Sequence, residues 1–365
     1  MCNVNYDGYT FAMSGEKCLD FLRYCLVQEQ PLQESANKVQ WMRLMDWAVK
    51  QAVVGVVYGG ILKSGKGLEI PFDSLMKWVG YVQQIELRNK LVNKTCSEVV
   101  AEYEGAGYRC MILKGQGNAL MYPHPLLRMS GDIDLLIYDA VRKELIDYVR
   151  SRYHVIDVRY HHVEYIYNGI PVELHFIPCQ MNNLIYHRRL IKWLKEHETN
   201  EQVLDFPNGE GSIPVPSWNY NVIFQLAHMM HHFFDEGIGL RQMIDYYYLL
   251  KSDDRKEMAD VDETLRYLNL FQFASAVMYI MKEVLGLEEK YLIVPMDEKR
   301  GKTLLREIMH GGNFGHSSGL AQDNAAKKYL QKTWRNMKLV KEYPAEALCE
   351  PVFRTWHYFW RMVNR

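Results

Sequence analysis

The sequence predicts an α+β protein, a strand-rich core with one helix set between two helical regions, and three observations carry that reading. Apolar residues recur at helical spacing from about Cys18 to Glu104 and again beyond Asn182. Between these stretches, short β-rich segments surround a single helical one. Two of those segments are separated by Asn168-Gly169, and a two-residue Asn-Gly loop is the strongest short signal for a type I′ hairpin. The chain divides accordingly into an N-terminal helical region (1–105), an α/β core (106–180) and a C-terminal helical region (181–365).

In chain order, the clearest N-terminal helix begins near Asp73 or Ser74, carries Leu75, Trp78, Val79, Val82 and Ile85 on one stripe, and stops before Gly105. Arg109 to Leu113 reads as a short buried strand that runs into Lys114-Gly115, where a glycine lets backbone N–H groups approach an anion. Gln116 to Met121 follows as a short helix ended by Tyr122-Pro123. The most informative run is Met129 to Ile137, because Asp132 and Asp134, two apart and leading into an apolar segment, share one face of a strand. Such a pair repels unless it is protonated or bridged by a cation, and Mg²⁺ is the hard ion that most often bridges carboxylates to substrate phosphates. A helix is expected over Ala140 to Arg152, with Asp139 as its N-cap.

The hairpin fixes a register for the segments Tyr160 to Tyr167 and Ile170 to Phe176. Counting outward from the loop, Tyr167 faces Ile170, Glu164 faces Glu173 and His162 faces His175, with the polar members on one side. Val172, Leu174 and Phe176 point to the other side as a core face. Opposed like charges destabilise a strand pair, so Glu164 and Glu173 require a proton, a basic neighbour or a metal.

Beyond Asn182 the helical pattern is interrupted at Phe206 to Ser217 and at His310 to Gly315. The second break has no Lys-Ser/Thr after its glycines and reads as a helix connection. His228, His231 and His232 share a helix face. No carboxylate completes a zinc signature there, so they are expected to line a cleft against nucleotide or acceptor. Arg241 and Asp245, spaced i,i+4, serve either as a brace between helical region and core or as substrate contacts. The tail from Lys327 to Arg365 mixes nine Lys or Arg and three Glu with Trp334, Trp356, Tyr358, Phe359 and Trp360. It is expected to form amphipathic helices whose aromatics fill the core while basic stems snorkel outward.

Leu113-Lys-Gly115, Tyr122-Pro123, Arg128, Gly131-Asp-Ile-Asp-Leu-Leu-Ile137, His161-His162 and Val172-Glu-Leu-His175 together resemble the uncharacterised nucleotidyltransferases of the polymerase-β-like superfamily. The resemblance is tight from about Leu113 to His175 and looser through the region holding His228, Arg241 and Asp245. It implies a polymerase-β-like core, a small mixed sheet with flanking helices, in which Asp132, Asp134 and Glu173 hold two Mg²⁺ ions, with Mn²⁺ as a substitute, for transfer of a nucleoside monophosphate from a nucleoside triphosphate, ATP among them. It also implies that Gly115 marks the phosphate loop. The superfamily's small residue after that glycine is here Gln116, and Lys114, Arg128 and Gly131 are the candidate phosphate partners around the gap. His162, Glu164 and His175 are then candidate cleft residues.

Composition bounds the setting. A chain of 365 residues, 48% hydrophobic, suffices for two or three packed units without disulfides. Its seven cysteines are scattered, with no Cys-x-x-Cys, and read as reduced thiols of a cytoplasmic protein. Neither a secretory leader nor a membrane span is expected. A net charge of −1 argues against long nucleic acid as the main partner, leaving a small molecule or a protein hydroxyl as acceptor. Two alternatives stand beside the transferase: a metal hydrolase centred on His228, His231 and His232, which bound zinc would favour, and a non-catalytic interaction module on the same fold, which nucleotide binding through Asp132 would exclude.

Overall fold

The computed structural model describes residues 12–27, 41–198, 201–252, 260–312 and 325–364. The N-terminal region holds α1 (Ala12–Leu26), α2 (Trp41–Lys50), α3 (Val54–Ser64) and the long α4 (Phe72–Gly105). The core follows with β1 (Cys110–Ile112), α5 (Gln116–Ala119), β2 (Ile133–Ile137), α6 (Arg142–Arg152), β3 (Val155–Val158), β4 (His162–Tyr167) and β5 (Ile170–His175). Then come α7 (Leu184–His197), a two-stranded ribbon of β6 (Gln202–Asp205) and β7 (Ser212–Val215), α8 (Trp218–Asp235), α9 (Leu240–Lys251), α10 (Val261–Tyr267), α11 (Phe271–Tyr279) and α12 (Glu298–Gly311). The chain ends in α13 (Ala325–Lys338) and α14 (Pro344–Asn364). The fold is α+β, with one small mixed sheet flanked by helices.

That sheet has the order β1-β2-β5-β4-β3, in which β2 and β5 are parallel and all other neighbours antiparallel. Strand alternation gives it two unlike faces. One carries Ile133, Leu135, Val163, Tyr165, Val172 and Leu174, all buried against α4 and α6. The other carries Asp134, Glu173, His175, His162 and Glu164, and it is this face that positions the site.

The buried side chains form two clusters. The sheet's apolar face packs with Val92, Cys96, Val99 and Tyr103 of α4 and with Leu145 and Val149 of α6. A larger cluster joins α1 to α3, through Phe21, Leu44 and Val57, to α8, α9 and α11, through Phe224, Tyr246 and Phe273. Helix α4 spans both, because its stripe at spacings of three and four runs from Trp78, Val82 and Ile85 in the second cluster to Tyr103 in the first.

The hairpin register agrees with the sequence pattern: Tyr167 pairs with Ile170, Glu164 with Glu173 and His162 with His175. Asn168 and Gly169 both take positive φ, 49° and 81°, as the type I′ turn requires. Other expectations shift. Helix α4 begins slightly earlier and includes Gly105. Asp139 does not cap α6: it sits at φ 50° in the turn leaving β2, pairs with Lys195 at 3.1 Å, and Val141 occupies the cap position. The break at Phe206 to Ser217 contains strand β7, paired with β6 around Gly209 and Gly211, both at positive φ. The loop expected at His310 to Gly315 lies outside the described residues after Gly312.

The tail is helical, but the aromatics singled out from the sequence do not fill the core, which takes Tyr343 instead. Trp334, Trp356, Tyr358 and Phe359 are exposed, Trp334 at 69%. The inward face mixes apolar and polar side chains: Leu339, Tyr343 and Ala347 join the larger core cluster, and Asn336 is fully buried and donates to Glu350 and to the carbonyl of Phe234, both at 3.0 Å. Arg335 donates to the same end of α8. These side chains satisfy carbonyls at the C-terminal end of α8. Trp360 alone of the aromatic set is half-buried, beneath the Arg142 guanidinium at 4.1 Å. Six cysteines are free thiols, and Cys2 lies outside the described residues. Among the described residues no helix is long and apolar enough to cross a membrane.

Candidate active site

The parallel pairing of β2 with β5 sets Asp134 beside Glu173 and Leu136 beside His175. One carboxylate oxygen each from Asp134 and Glu173 and one ring nitrogen of His175 lie within 4.8 Å of one another. Asp132 stands two residues before Asp134, just ahead of β2, and is half-buried. Burial, then the charges of Asp134 and Glu173, push its carboxyl up to about 6, with Lys114 opposing. That mutual repulsion is the electrostatic mark of three acids gathered in one place.

The partners of Glu173 reverse that trend. Burial works against its charge, but a hydrogen bond from His175, with His162 and Lys114 nearby, holds its carboxyl well below the ordinary value. His175 is itself 3% exposed, and Nε2 lies 3.0 Å from Asp134 Oδ1 and 3.4 Å from Glu173 Oε2. Burial disfavours its charged form, yet the bonds to these two carboxylates prevail and raise it to about 9. Glu164 is held up by burial and by Glu173, while Arg159 opposes the shift.

Lys114 closes the other side. Its Nζ is 3.0 Å from Asp134 Oδ1 and donates to His228 Nε2, also at 3.0 Å. Burial favours loss of its proton, but Asp134, Asp132 and Glu173 outweigh it and keep the amine charged. Burial and Lys114 hold His228 neutral, the form able to accept that bond. Gly115 turns the chain at φ 58° and ψ −107°, a conformation closed to residues with a Cβ, and so brings the loop against the Asp132 carbonyl. Gln116 is turned inward, donating to Asn89 at 3.3 Å and to Asn93.

Arg128 is 5% exposed and meets Asp245 as a two-pronged fork, Nε to Oδ1 and Nη2 to Oδ2, both at 2.7 Å. Tyr122 donates to the same Oδ1 at 2.6 Å, and Asn89 donates to the Arg128 carbonyl at 2.7 Å. Arg241, the sequence neighbour of Asp245 on α9, donates to the carbonyl of Met129 at 3.0 Å. Gly131 lies near its guanidinium, 3.8 Å from where a Cβ would stand.

A family model described as an uncharacterised nucleotidyltransferase matches residues 37–286, more than half of the chain. The chain belongs to that nucleotidyltransferase family. No curated protein shows significant similarity to it. Solved structures similar to it include the crystal structure of an antigenic nucleotidyltransferase-like protein from Paracoccidioides brasiliensis, 15% identical over 55% of this chain and 96% of that one, with a TM-score of 0.32.

Within this nucleotidyltransferase core, Asp132, Asp134, Glu173, His162, His175, Lys114 and Gly115 come together, and α8 reaches them through His228. His232 packs edge-on against His228, ring centroids 4.4 Å apart, with Nδ1 3.7 Å from Glu236, and His231 lies 6.4 Å from His161 with Nε2 3.3 Å from the Gln180 amide nitrogen. The trio expected on α8 is not among the groups able to hold a metal within the described residues. A different trio is, namely His161, His162 and His175. Sequence reasoning passed over His161, although its adjacency to His162 at the entry to β4 was the available signal.

Proposed function

We propose that this protein is a divalent-metal-dependent nucleotidyltransferase, in which Asp132, Asp134 and Glu173 hold Mg²⁺, or Mn²⁺, for transfer of a nucleoside monophosphate from a nucleoside triphosphate to a hydroxyl or phosphate acceptor. The observation that carries this reading is the parallel register of Asp134 with Glu173, with Asp132 close enough to both for their charges to raise its pKa. The donor set fits the group: Asp134 and Glu173 on one sheet face converge within ligand range, and Asp132 just ahead of β2 adds a third carboxylate, the hard oxygen donors that Mg²⁺ selects. A pair of such ions supplies Lewis-acid stabilisation of the attacking and leaving oxygens.

The chain's own residues do the remainder. Lys114, charged and fixed between Asp134 and His228, offsets the acids and presents a cation beside the Gly115 loop, where triphosphate would approach with the backbone free of any Cβ. His175 orients Asp134 and Glu173 through one ring nitrogen. Arg128 and Asp245 tie the segment before β2 to α9, so the geometry of Asp132 depends on them. The near-zero net charge of the chain supports a small-molecule or protein acceptor over a polynucleotide.

The test is incubation with Mg²⁺ and each labelled triphosphate in the presence of host lysate. The parent is expected to label an acceptor, with Asp132→Asn and Glu173→Gln reduced on the order of 10³-fold or more, since a Lewis acid supplies several kcal/mol and each 1.36 kcal/mol is tenfold. Folded variants that label as the parent does would refute the reading. A parent that neither labels nor binds Mg²⁺-nucleotide would leave an interaction module.

A further inference from the structure

Beside the carboxylates lie three histidines, His162 and His175 buried and His161 half-buried, and only His175 has a part in the proposed transfer. We infer that His161, His162 and His175 bind a transition-metal ion of the zinc and cobalt class at a second site, behind the carboxylates and distinct from the Mg²⁺ position. One ring nitrogen from each lies within 4.8 Å of the others. The rings surround a common point, with centroids 4.3 Å apart for His161 and His162, 5.1 Å for His162 and His175, and 5.7 Å for His161 and His175.

The backbone explains how adjacent residues converge. His162 opens β4 and stands opposite His175 on the polar face. His161 precedes the strand, where side-chain alternation no longer holds, and its carbonyl is pinned by the N–H groups of Phe176 and Ile177. The trio is therefore held by two strand ends that the ladder already fixes.

Hydrogen bonding points to a ligand. His162 is 1% exposed and His175 3%, yet neither nitrogen of His162, nor Nδ1 of His161, nor Nδ1 of His175 has a hydrogen-bond partner among the described residues. Buried polar atoms are nearly always satisfied, so a cluster of four unsatisfied ring nitrogens is unusual and asks for a partner of another kind. The outer atoms are arranged as metal-binding histidines require. His175 Nε2 is hydrogen-bonded to Asp134 at 3.0 Å, leaving Nδ1 on the far side of the ring, while His162 Nδ1 lies 3.4 Å from Glu173 without forming a hydrogen bond. A carboxylate on one ring nitrogen with the metal on the other is the standard second layer of a histidine site, fixing tautomer and ring orientation.

Three imidazoles discriminate in kind from the neighbouring acids. Nitrogen donors suit zinc, cobalt and nickel, whereas Mg²⁺ takes oxygen. Three histidines also leave a coordination position open for water or another donor. Because Asp134 and Glu173 face both sites, an ion on the histidines would orient the two acids from behind.

The test is Co²⁺ titration of chelator-stripped protein in excess Mg²⁺, read by the visible d–d bands of Co²⁺ and by elemental analysis. The parent is expected to take up one equivalent that Mg²⁺ does not displace. His161→Ala, half-buried and the variant least able to disturb the fold, is expected to bind at least tenfold more weakly with unchanged far-UV circular dichroism, and His162→Gln likewise. Asp132→Asn is expected to lose nucleotidyl transfer yet bind Co²⁺ within twofold of the parent, which separates this site from the proposed reaction. Absence of Co²⁺ uptake by the parent, or a folded His161→Ala that binds as the parent does, would overturn the inference.

Discussion

Replacing Asp245 with alanine separates a brace from a substrate contact. The Arg128 guanidinium spends two bonds of 2.7 Å on this carboxylate, and the Tyr122 hydroxyl a third of 2.6 Å. Both ionic side chains are about 5% exposed, so water cannot replace what is lost. In Asp245→Ala the guanidinium retains its 3.5 Å contact with the Met129 carbonyl and is otherwise left as a buried, uncompensated charge. Breaking a buried pair from one side costs about 3–5 kcal/mol. For a chain of 365 residues, an unfolding entropy of about 2.1 cal/mol/K per residue converts about 4 kcal/mol into a fall of about 5 °C in Tm. Urea denaturation and a thermal scan read both quantities. The double variant Arg128→Met/Asp245→Leu removes the two charges together and is expected to recover most of the loss, less about 1–2 kcal/mol for the stranded Tyr122 hydroxyl. It is also expected to keep Mg²⁺-nucleotide binding. A single variant within about 1 kcal/mol of the parent would refute the brace, and so would a stable double variant that binds no nucleotide, which would place Arg128 on the substrate.

Three further outcomes follow from the same geometry. Gly115→Ala forces a Cβ into φ 58° and ψ −107°, and is expected to cost about 1–3 kcal/mol in urea denaturation, whereas Gly131→Ala meets only Arg241 at 3.8 Å and should stay within about 0.5 kcal/mol. Glu346, buried in α14, accepts from the N–H groups of Asn182 and Asn183, but burial prevails and raises its carboxyl from 4.5 to about 7. The folded state therefore holds the extra proton, so this group's contribution falls as pH rises from about 4.5 to 7 and is level above; Glu346→Gln should abolish that decline and gain up to about 3 kcal/mol at pH 8, and an unchanged pH slope in urea would contradict the assignment. EDTA is expected to abolish nucleotide binding and Mg²⁺ or Mn²⁺ to restore it, as read by calorimetry; binding that persists in EDTA would remove the metal from the proposed reaction.

Much of the site was legible because it depends on local rules. Asn168-Gly169 specifies a two-residue turn, the turn specifies the register, and the register places Glu164 against Glu173 and His162 against His175 without reference to the rest of the chain. Asp132 and Asp134 share a face for the same local reason. What joins these two segments is long-range: β2 pairs with β5 across α6, β3 and β4, and no local signal says that Asp134 will lie beside Glu173. The family resemblance supplied that link where periodicity could not. Asp245 shows the opposite case, in which local spacing gave a plausible partner in Arg241, while tertiary packing delivered the buried Arg128 fork, the stronger bond in a low-dielectric setting.

The tail was misjudged because a pattern fixes a face but not its direction. The inward faces of α13 and α14 carry Asn336, bonded to the end of α8, and Glu350, bonded to Asn336, and both bonds require burial. Satisfying otherwise stranded carbonyls and a buried acid decided the orientation over apolar area, because an unmet buried polar group costs about 1–3 kcal/mol while exposed aromatic surface is tolerated. His161 lies just ahead of β4, where two backbone bonds from Phe176 and Ile177 hold the chain. Its ring completes a set with His162 and His175 that hydrogen bonds within the described protein do not satisfy, which is why a ligand, and not packing, is the reading that the geometry favours.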